Sequence, residues 1–210
     1  MNGCIITGIN TEVGKTVVSA IVATALHADY WKPIQIGQIG DQSDRAWIEG
    51  LHIRTHKEAY HLKFPLTTEK IGPLSLPETE RFLVIEGCGG VLCPFGQETT
   101  LLDTFAPWNL PWIVVSMHYL GSLNHTQLTV HKLVSSGQTV WGLVFNGPFS
   151  PLNEQWLIKE LNLPLLGKID HEPLINLSVI QCYAQKLSQK LKQFGIPLSK
   201  EPSQVPLSPL

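Results

Sequence analysis

The sequence predicts a single-domain α/β protein: a P-loop-type, mostly parallel sheet with helices on both faces. Three observations predict it. Short apolar runs of strand length alternate with longer segments whose apolar residues recur at helical spacing, the signature of βαβ units. The segment GINTEVGKT at 8–16 falls between one run of each kind, where a phosphate-binding loop must sit. No internal repeat and no linker-like stretch divides the 210 residues, a length that suits one domain able to bury a sizeable core.

The elements follow in order. Residues 4–7 read as a first strand and 16–27 as a helix, with Val17, Ile21 and Ala25 and the pair Val18 and Val22 at helical spacing. Residues 29–31 form a short strand ending at Lys32-Pro33, and 42–49 a helix behind the loop 37–41. Prolines at 65, 73 and 77 limit any long helix in 52–80, which stays without an element. Strands are expected over 81–85, 112–116, 140–145 and 164–169, and helices over 124–135, 151–161 and 175–194. The domain is expected over 1–195, with 196–210, rich in proline, as a loose tail.

Composition narrows the function classes. The net charge is −2 and the basic residues are scattered, which gives no nucleic-acid footprint. No stretch approaches the ~20 apolar residues of a membrane span, and the N-terminal MNGCIITG lacks the pattern of a signal peptide. Four cysteines without a CxxC pair read as free thiols of a cytoplasmic protein. Charged residues are 15%, against roughly 25% in typical domains, compatible with a buried subunit interface. His52, His56 and His61 do not share one helix face, so they are not taken as a metal site.

The loop carries the chemistry. Its backbone N–H groups can surround an anion, and the helix behind it adds positive potential. Lys15 can reach the β and γ phosphates of a triphosphate, while the Thr16 hydroxyl suits Mg²⁺. Five residues separate Gly8 from Gly14, one more than the usual pattern.

Ligands of open α/β sheets sit outside the carboxyl ends of the strands. Lys32, Asp44 and the run Glu86-Gly87-Cys88-Gly89-Gly90 all follow predicted strands. Magnesium takes few protein carboxylates and completes its octahedron with phosphate oxygens and water, so Thr16, Asp44 and Glu86 make a suitable set. Lys32 can neutralise charge on a transferred phosphoryl group. Alone, each residue has a plainer reading: Asp44 as a helix cap, Glu86 as a solvated strand end, Lys32 as a surface lysine and Cys88 as a small space-filling residue.

These segments resemble the dethiobiotin synthetase family: TGINTEVGKT at 7–16, YWKPIQIG at 30–37, SD at 43–44, VIEGCGG at 84–90, LGSLNH at 120–125, Asn146, and PLLGKI at 164–169. The resemblance implies formation of dethiobiotin, ADP and phosphate from 7,8-diaminopelargonate, CO₂ and ATP, in biotin biosynthesis. It implies Lys32 as the catalytic lysine beside Lys15, and Thr11 near the substrate amines. Glu12, Val13, Gly14, Lys15, Thr16 and Val17 would wrap the ATP phosphates, with Asp44 and the 86–89 segment (Glu86, Gly87, Cys88, Gly89) at the nucleotide. Asn146 with Gly147 would read adenine, and the loop from Asp170 would close over the base. Family members are homodimers, which implies that Gly121, Ser122, Leu123 and Asn124 receive the substrate carboxylate across the interface.

Two positions depart from the family pattern. Ile36 stands where a serine or threonine is usual, removing a hydroxyl contact to substrate, and Asp170 replaces a common proline. Two other readings stay open. One is a related P-loop enzyme that forms amides or activates acids on another substrate. The other is a partition-type ATPase switch, whose extra lysine early in the loop is here Asn10.

Overall fold

The computed structural model describes residues 2–37, 40–63, 71–95 and 99–196. Its elements run β1 (Gly3–Gly8), α1 (Lys15–Leu26), β2 (Asp29–Trp31), β3 (Ile34–Ile36), α2 (Asp44–Gly50), β4 (Thr55–His56), β5 (Tyr60–Leu62) and β6 (Leu83–Glu86). Then follow β7 (Pro94–Phe95), β8 (Thr99–Thr100), α3 (Leu101–Phe105), β9 (Trp112–Ser116), α4 (Ser122–Ser135), β10 (Val140–Asn146), α5 (Pro151–Leu161), β11 (Leu165–Ile169) and α6 (Leu177–Gln193). The tail expected after Gly195 lies outside the described residues from 197 onward, as do 38 and 39 of the predicted 37–41 loop.

Seven strands form one sheet in the order β11-β10-β9-β1-β6-β2-β4, and every pairing in it is parallel. A parallel sheet covered on both faces needs strands apolar throughout, and β1, β6 and β9 are buried at every position. Burying each of Ile5, Ile6 and Ile113 contributes about 1.5–3 kcal/mol. Helices α1 and α6 pack together over one part of the sheet, and α4 and α5 form a second pair against β9 and β10. The expected architecture is therefore the observed one.

Register places the chemistry. Ile6 of β1 lies opposite Glu86 of β6, and Trp31 of β2 lies opposite Ile85. Lys32, one residue past Trp31, therefore comes level with Glu86, one past Ile85. The loop after Gly8 leaves from the same edge, so three adjacent strands deliver their polar ends to one place.

Several expectations need correction. Helix α2 begins at Asp44 rather than 42, because Ser43 is the cap: its hydroxyl accepts from the Ala46 N–H at 3.2 Å, while a short 3₁₀ turn covers Gly40–Gln42. Helix α4 begins at Ser122, two residues before the predicted start. The stretch 52–80 contributes β4 to the main sheet and β5 to a two-stranded pairing with β3. In the same stretch His56 bonds Asp29 at 3.1 Å and His61 sits 3.7 Å from Glu58. No helix is long and apolar enough to cross a membrane.

Asp29 pins the sheet's outer strands. Its carboxylate is fully buried and accepts bonds from two Arg54 nitrogens and from the Thr79 hydroxyl at 2.7 Å, with Arg81 3.7 Å away. Burial by itself would raise the Asp29 pKa, but the bonds from Arg54, Thr79 and His56 outweigh it and hold it below the ordinary carboxylate value. We expect Asp29→Asn to destabilise the fold by about 2 kcal/mol at pH 7, read as a lower urea midpoint with an unchanged slope. A depressed folded pKa contributes stability above the unfolded value of about 3.9, lost as pH falls through the folded one. The gap between parent and variant should therefore shrink below about pH 4; a gap that widens in acid would refute the assignment.

Candidate active site

A cleft of about 470 Å³ opens at this strand edge, lined by Thr11, Glu12, Gly14, Lys15, Thr16 and Val17 from the loop and helix start. Lys32, Ile36, Asp44, Glu86, Cys88, Gly89 and Cys93 complete its wall. A second cavity, of about 440 Å³ between α1, α6 and the β10–β11 edge, is largely apolar; its charged lining residues are Lys168, Lys186 and Lys190, with no carboxylate among them.

The loop is shaped by its own backbone. Helix α1 starts at Lys15, so its first N–H groups face the loop. Gly14 adopts φ +89°, and a Cβ there would fall 2.1 Å from Asn146 Nδ2, which donates to the Val13 carbonyl at 3.1 Å. Only glycine permits both the left-handed backbone and this approach. Lys15 curls back so that its ammonium donates to the Asn10 carbonyl at 3.0 Å. Burial, reinforced by the charge of Lys32 and opposed by Glu86, lowers the Lys15 pKa below the usual lysine value.

Lys32 is the hub. Its buried ammonium donates to Glu86 Oε1 at 2.8 Å and makes a short contact with Asp44 Oδ2. Burial alone would lower its pKa, yet the two carboxylates outweigh burial and hold it above the ordinary lysine range. The two carboxylates therefore favour the charged ammonium. Thr16 Oγ1 lies 2.9 Å from Asp44 Oδ1 and 3.0 Å from Glu86 Oε1, within reach of either as donor. Asp44 is correspondingly depressed: burial opposes, but the charge and hydrogen bond of Lys32 prevail.

Thr16, Asp44 and Glu86 thus converge as the sequence led us to expect, and they already hold a cationic group between them. Two carboxylates and one hydroxyl are the donor set that Mg²⁺ takes when phosphate supplies the rest.

Sequence reasoning missed Tyr30 and Gln35. The Tyr30 hydroxyl donates to Glu86 Oε2 at 2.9 Å from a fully buried ring; burial and the neighbouring carboxylate push its pKa well above the usual value, so it stays a donor. Gln35, also buried, helps hold the Asp44 carboxyl below its ordinary value, after Lys32 and Thr16. Both lie in apolar strand patterns, where a tyrosine or glutamine reads as packing or as an edge. Their signal is only their position two or three residues from Lys32.

Other predicted residues stand apart. Gly121, Ser122, Leu123 and Asn124 form the start of α4 and do not line the cleft of their own chain. Asn146 and Gly147 end β10 behind the loop, against Val13 and Met117 respectively. Gly87 packs under Leu101. Asp170 is exposed, and its N–H donates to the Tyr183 hydroxyl at 3.1 Å.

Comparison with known proteins agrees with this geometry. A family model for the AAA domain matches residues 2–177. The ATP-dependent dethiobiotin synthetase BioD of Chlamydia pneumoniae is 40% identical over 196 residues, 89% of each chain. That of Christiangramia forsetii is 40% identical over 89% of this chain and 96% of its own. Among solved structures, the septum site-determining protein MinD complexed with Mg-ADP from Pyrococcus horikoshii superposes with a TM-score of 0.56 at 15% identity, covering 92% of this chain and 97% of that one. The cell division ATPase MinD of Pyrococcus furiosus gives 0.52 at 15% identity, covering 92% and 99%. Such distant likeness speaks to the fold, whereas the closer relatives speak to the family: the chain belongs to the ATP-dependent dethiobiotin synthetases.

Proposed function

We propose that the chain is an ATP- and Mg²⁺-dependent cyclo-ligase that makes dethiobiotin, ADP and phosphate from 7,8-diaminopelargonate, CO₂ and ATP. The observation that carries the reading is the Lys32 ammonium, fixed between Asp44 and Glu86 on a cleft walled by the phosphate loop. A triphosphate in that loop would present its γ-phosphate to Lys32, and phosphoryl transfer requires chiefly position and charge stabilisation.

In this reading one substrate amine adds to CO₂ and releases a proton, giving a carbamate. A carbamate oxygen attacks the γ-phosphorus and ADP leaves; the second amine then attacks the carbonyl carbon and phosphate departs, closing the cyclic urea. Lys32 orients the carbamate and neutralises the transferred phosphoryl oxygens. Lys15, Glu12, Val13, Gly14 and Val17 hold the phosphates, and Lys15 exchanges the Asn10 carbonyl for phosphate oxygens. Thr16, Asp44 and Glu86 would hold magnesium, which when bound offsets the charge of the triphosphate. Tyr30 and Gln35 act through Glu86 and Asp44 as positioning residues.

Thr11 and Ile36 face the diamine, Ile36 through apolar contact in place of the usual hydroxyl. Gly87, Cys88 and Gly89 border the nucleotide, with Asn146, Gly147 and the loop from Asp170 at its base. The enzyme works in the cytoplasm as a homodimer, in which the helix start at Gly121, Ser122, Leu123 and Asn124 receives the carboxylate bound by the partner subunit, the Ser122 N–H itself being taken by the Tyr119 carbonyl at 2.9 Å. Full exposure of Leu120, two residues before α4, and exposure of Leu128 on α4 support that interface.

Purified protein given diaminopelargonate, bicarbonate, Mg²⁺ and ATP should form dethiobiotin, detected by mass spectrometry. ATP hydrolysis without that product, seen only with another diamine or acid, would sink the substrate assignment. Lys32→Ala should lower kcat by at least about 10³-fold, some 4 kcal/mol of transition-state stabilisation, while ATP binding stays within a few-fold. Equal loss of both would move Lys32 into the nucleotide site. Tyr30→Phe should cost about 1–1.5 kcal/mol, roughly tenfold in kcat, without changing the melting temperature by more than a few degrees. Unaltered turnover would remove Tyr30 from the reaction.

A further inference from the structure

The loop that leaves β11 is tied to the fold by one side chain. Register sets Ile169, the last residue of β11, beside Asn146, and the Gly147 N–H donates to the Ile169 carbonyl at 2.9 Å. Asn146 in turn donates to the Val13 carbonyl of the phosphate loop at 3.1 Å. The chain that departs at Asp170 therefore starts at the carboxyl edge of the sheet, where ligands of parallel sheets lie, beside the side chain that braces the phosphate loop. Residues 170–176 form neither helix nor strand, and Asp170, His171, Pro173 and Leu174 are exposed. Among the described residues no backbone–backbone hydrogen bond reaches 170–175.

Tyr183 supplies what the backbone does not. Its side chain is buried on α6, with the Lys186 ammonium 4.9 Å from the ring centroid, and its hydroxyl reaches the loop twice. It accepts the Asp170 N–H at 3.1 Å and donates to Glu172 Oε1 at 2.6 Å. A phenol offers one proton and two lone pairs, so the two bonds coexist. Burial and the Glu172 bond push the Tyr183 pKa up to about 12, which keeps that proton in place at neutral pH. Proline at 170, without an N–H, could not make the first bond, and phenylalanine at 183 could make neither.

We propose that Tyr183 is a positioning residue for the base of the bound nucleotide: it latches the 170–176 loop to α6, and the loop so held forms the seat that the base enters. The proposal rests on the nucleotide reading of the cleft given above. A loop that must be ordered on binding weakens affinity, and a loop ordered in advance avoids that loss. The triphosphate is gripped elsewhere, by residues 8–16 and the start of α1, so the latch acts on the base end alone.

The test compares the full chain with Tyr183→Phe. It uses calorimetric titration with Mg-ATP and with Mg-tripolyphosphate, which has the phosphates and no base, and amide hydrogen exchange read by mass spectrometry. Affinity for Mg-ATP should fall about five- to tenfold, while affinity for Mg-tripolyphosphate stays within about twofold. Without ligand, peptides covering 170–176 should exchange about tenfold faster in the variant, and those of β10 no faster. In the parent, Mg-ATP should slow exchange over 170–176 and Mg-tripolyphosphate should not, a result that needs no variant. Equal loss of affinity for both ligands, unchanged Mg-ATP affinity, or unchanged exchange over 170–176 would overturn the proposal. A parent that binds neither ligand would overturn the nucleotide reading and the base seat with it, while exchange in the variant still decides whether Tyr183 holds the loop.

Discussion

Lys32 reaches Glu86 and Asp44 with almost no water around it, and a buried ammonium in that place is tolerable only while both carboxylates stay ionised and near. Everything around the cleft follows from this requirement. The carboxylates need a cation as much as the lysine needs anions, so removing either side leaves an uncompensated buried charge. Thr16 and Tyr30 take up oxygens that Lys32 does not fully satisfy. The sheet makes the meeting possible, since parallel registry at β1, β6 and β2 leaves Gly8, Glu86 and Lys32 at one edge.

The two lysines of the cleft are held for different tasks. Burial and the neighbouring Lys32 push Lys15 down, and its ammonium rests on a backbone carbonyl, a weak acceptor compared with a carboxylate. Lys15 therefore has much to gain from an incoming polyanion. Lys32 is already saturated by carboxylates and is pushed upward. In the proposed reaction a fixed positive charge at that point would stabilise negative charge as it grows during transfer without reorganising, which is the condition for electrostatic catalysis.

Local signals in the sequence placed most of the fold. The alternation of apolar runs and amphipathic segments located eight elements within two residues, and β2, β9 and α5 at their observed bounds. Elements that depend on distant partners were not legible. β3 and β5 are strands only because Ile34 and Tyr60 find each other, and β4 is two residues that complete the sheet edge. The start of α2 was displaced because Ser43 and Asp44 are both good caps, and the choice falls to whichever side chain is not drawn elsewhere; Asp44 is drawn to Lys32 and Thr16. Within the site, Lys15, Thr16, Lys32, Asp44 and Glu86 were legible because charged residues at strand ends stand out from apolar runs. Tyr30 and Gln35 were not, because a polar atom inside a strand declares itself only when its partner is known.

The same scaffold serves division-site ATPases, so the sheet and its phosphate loop cannot by themselves select the reaction. Selection lies in what stands at the strand ends beyond the loop. Asn10 occupies the place of the extra lysine of partition-type switches and here folds its side chain onto the Thr11 N–H at 2.8 Å, shaping the loop rather than reaching outward. The positive charge that a switch would hold within the loop is instead carried by β2, at Lys32, next to two carboxylates. A lysine placed there faces whatever enters from the open side of the cleft, which favours a second substrate beside the triphosphate over a bare ATPase. Ile36 lines that open side and sets its polarity. In the proposed reaction the charges buried at the sheet edge would fix the chemistry of transfer, and the few uncharged side chains above them the identity of the acceptor.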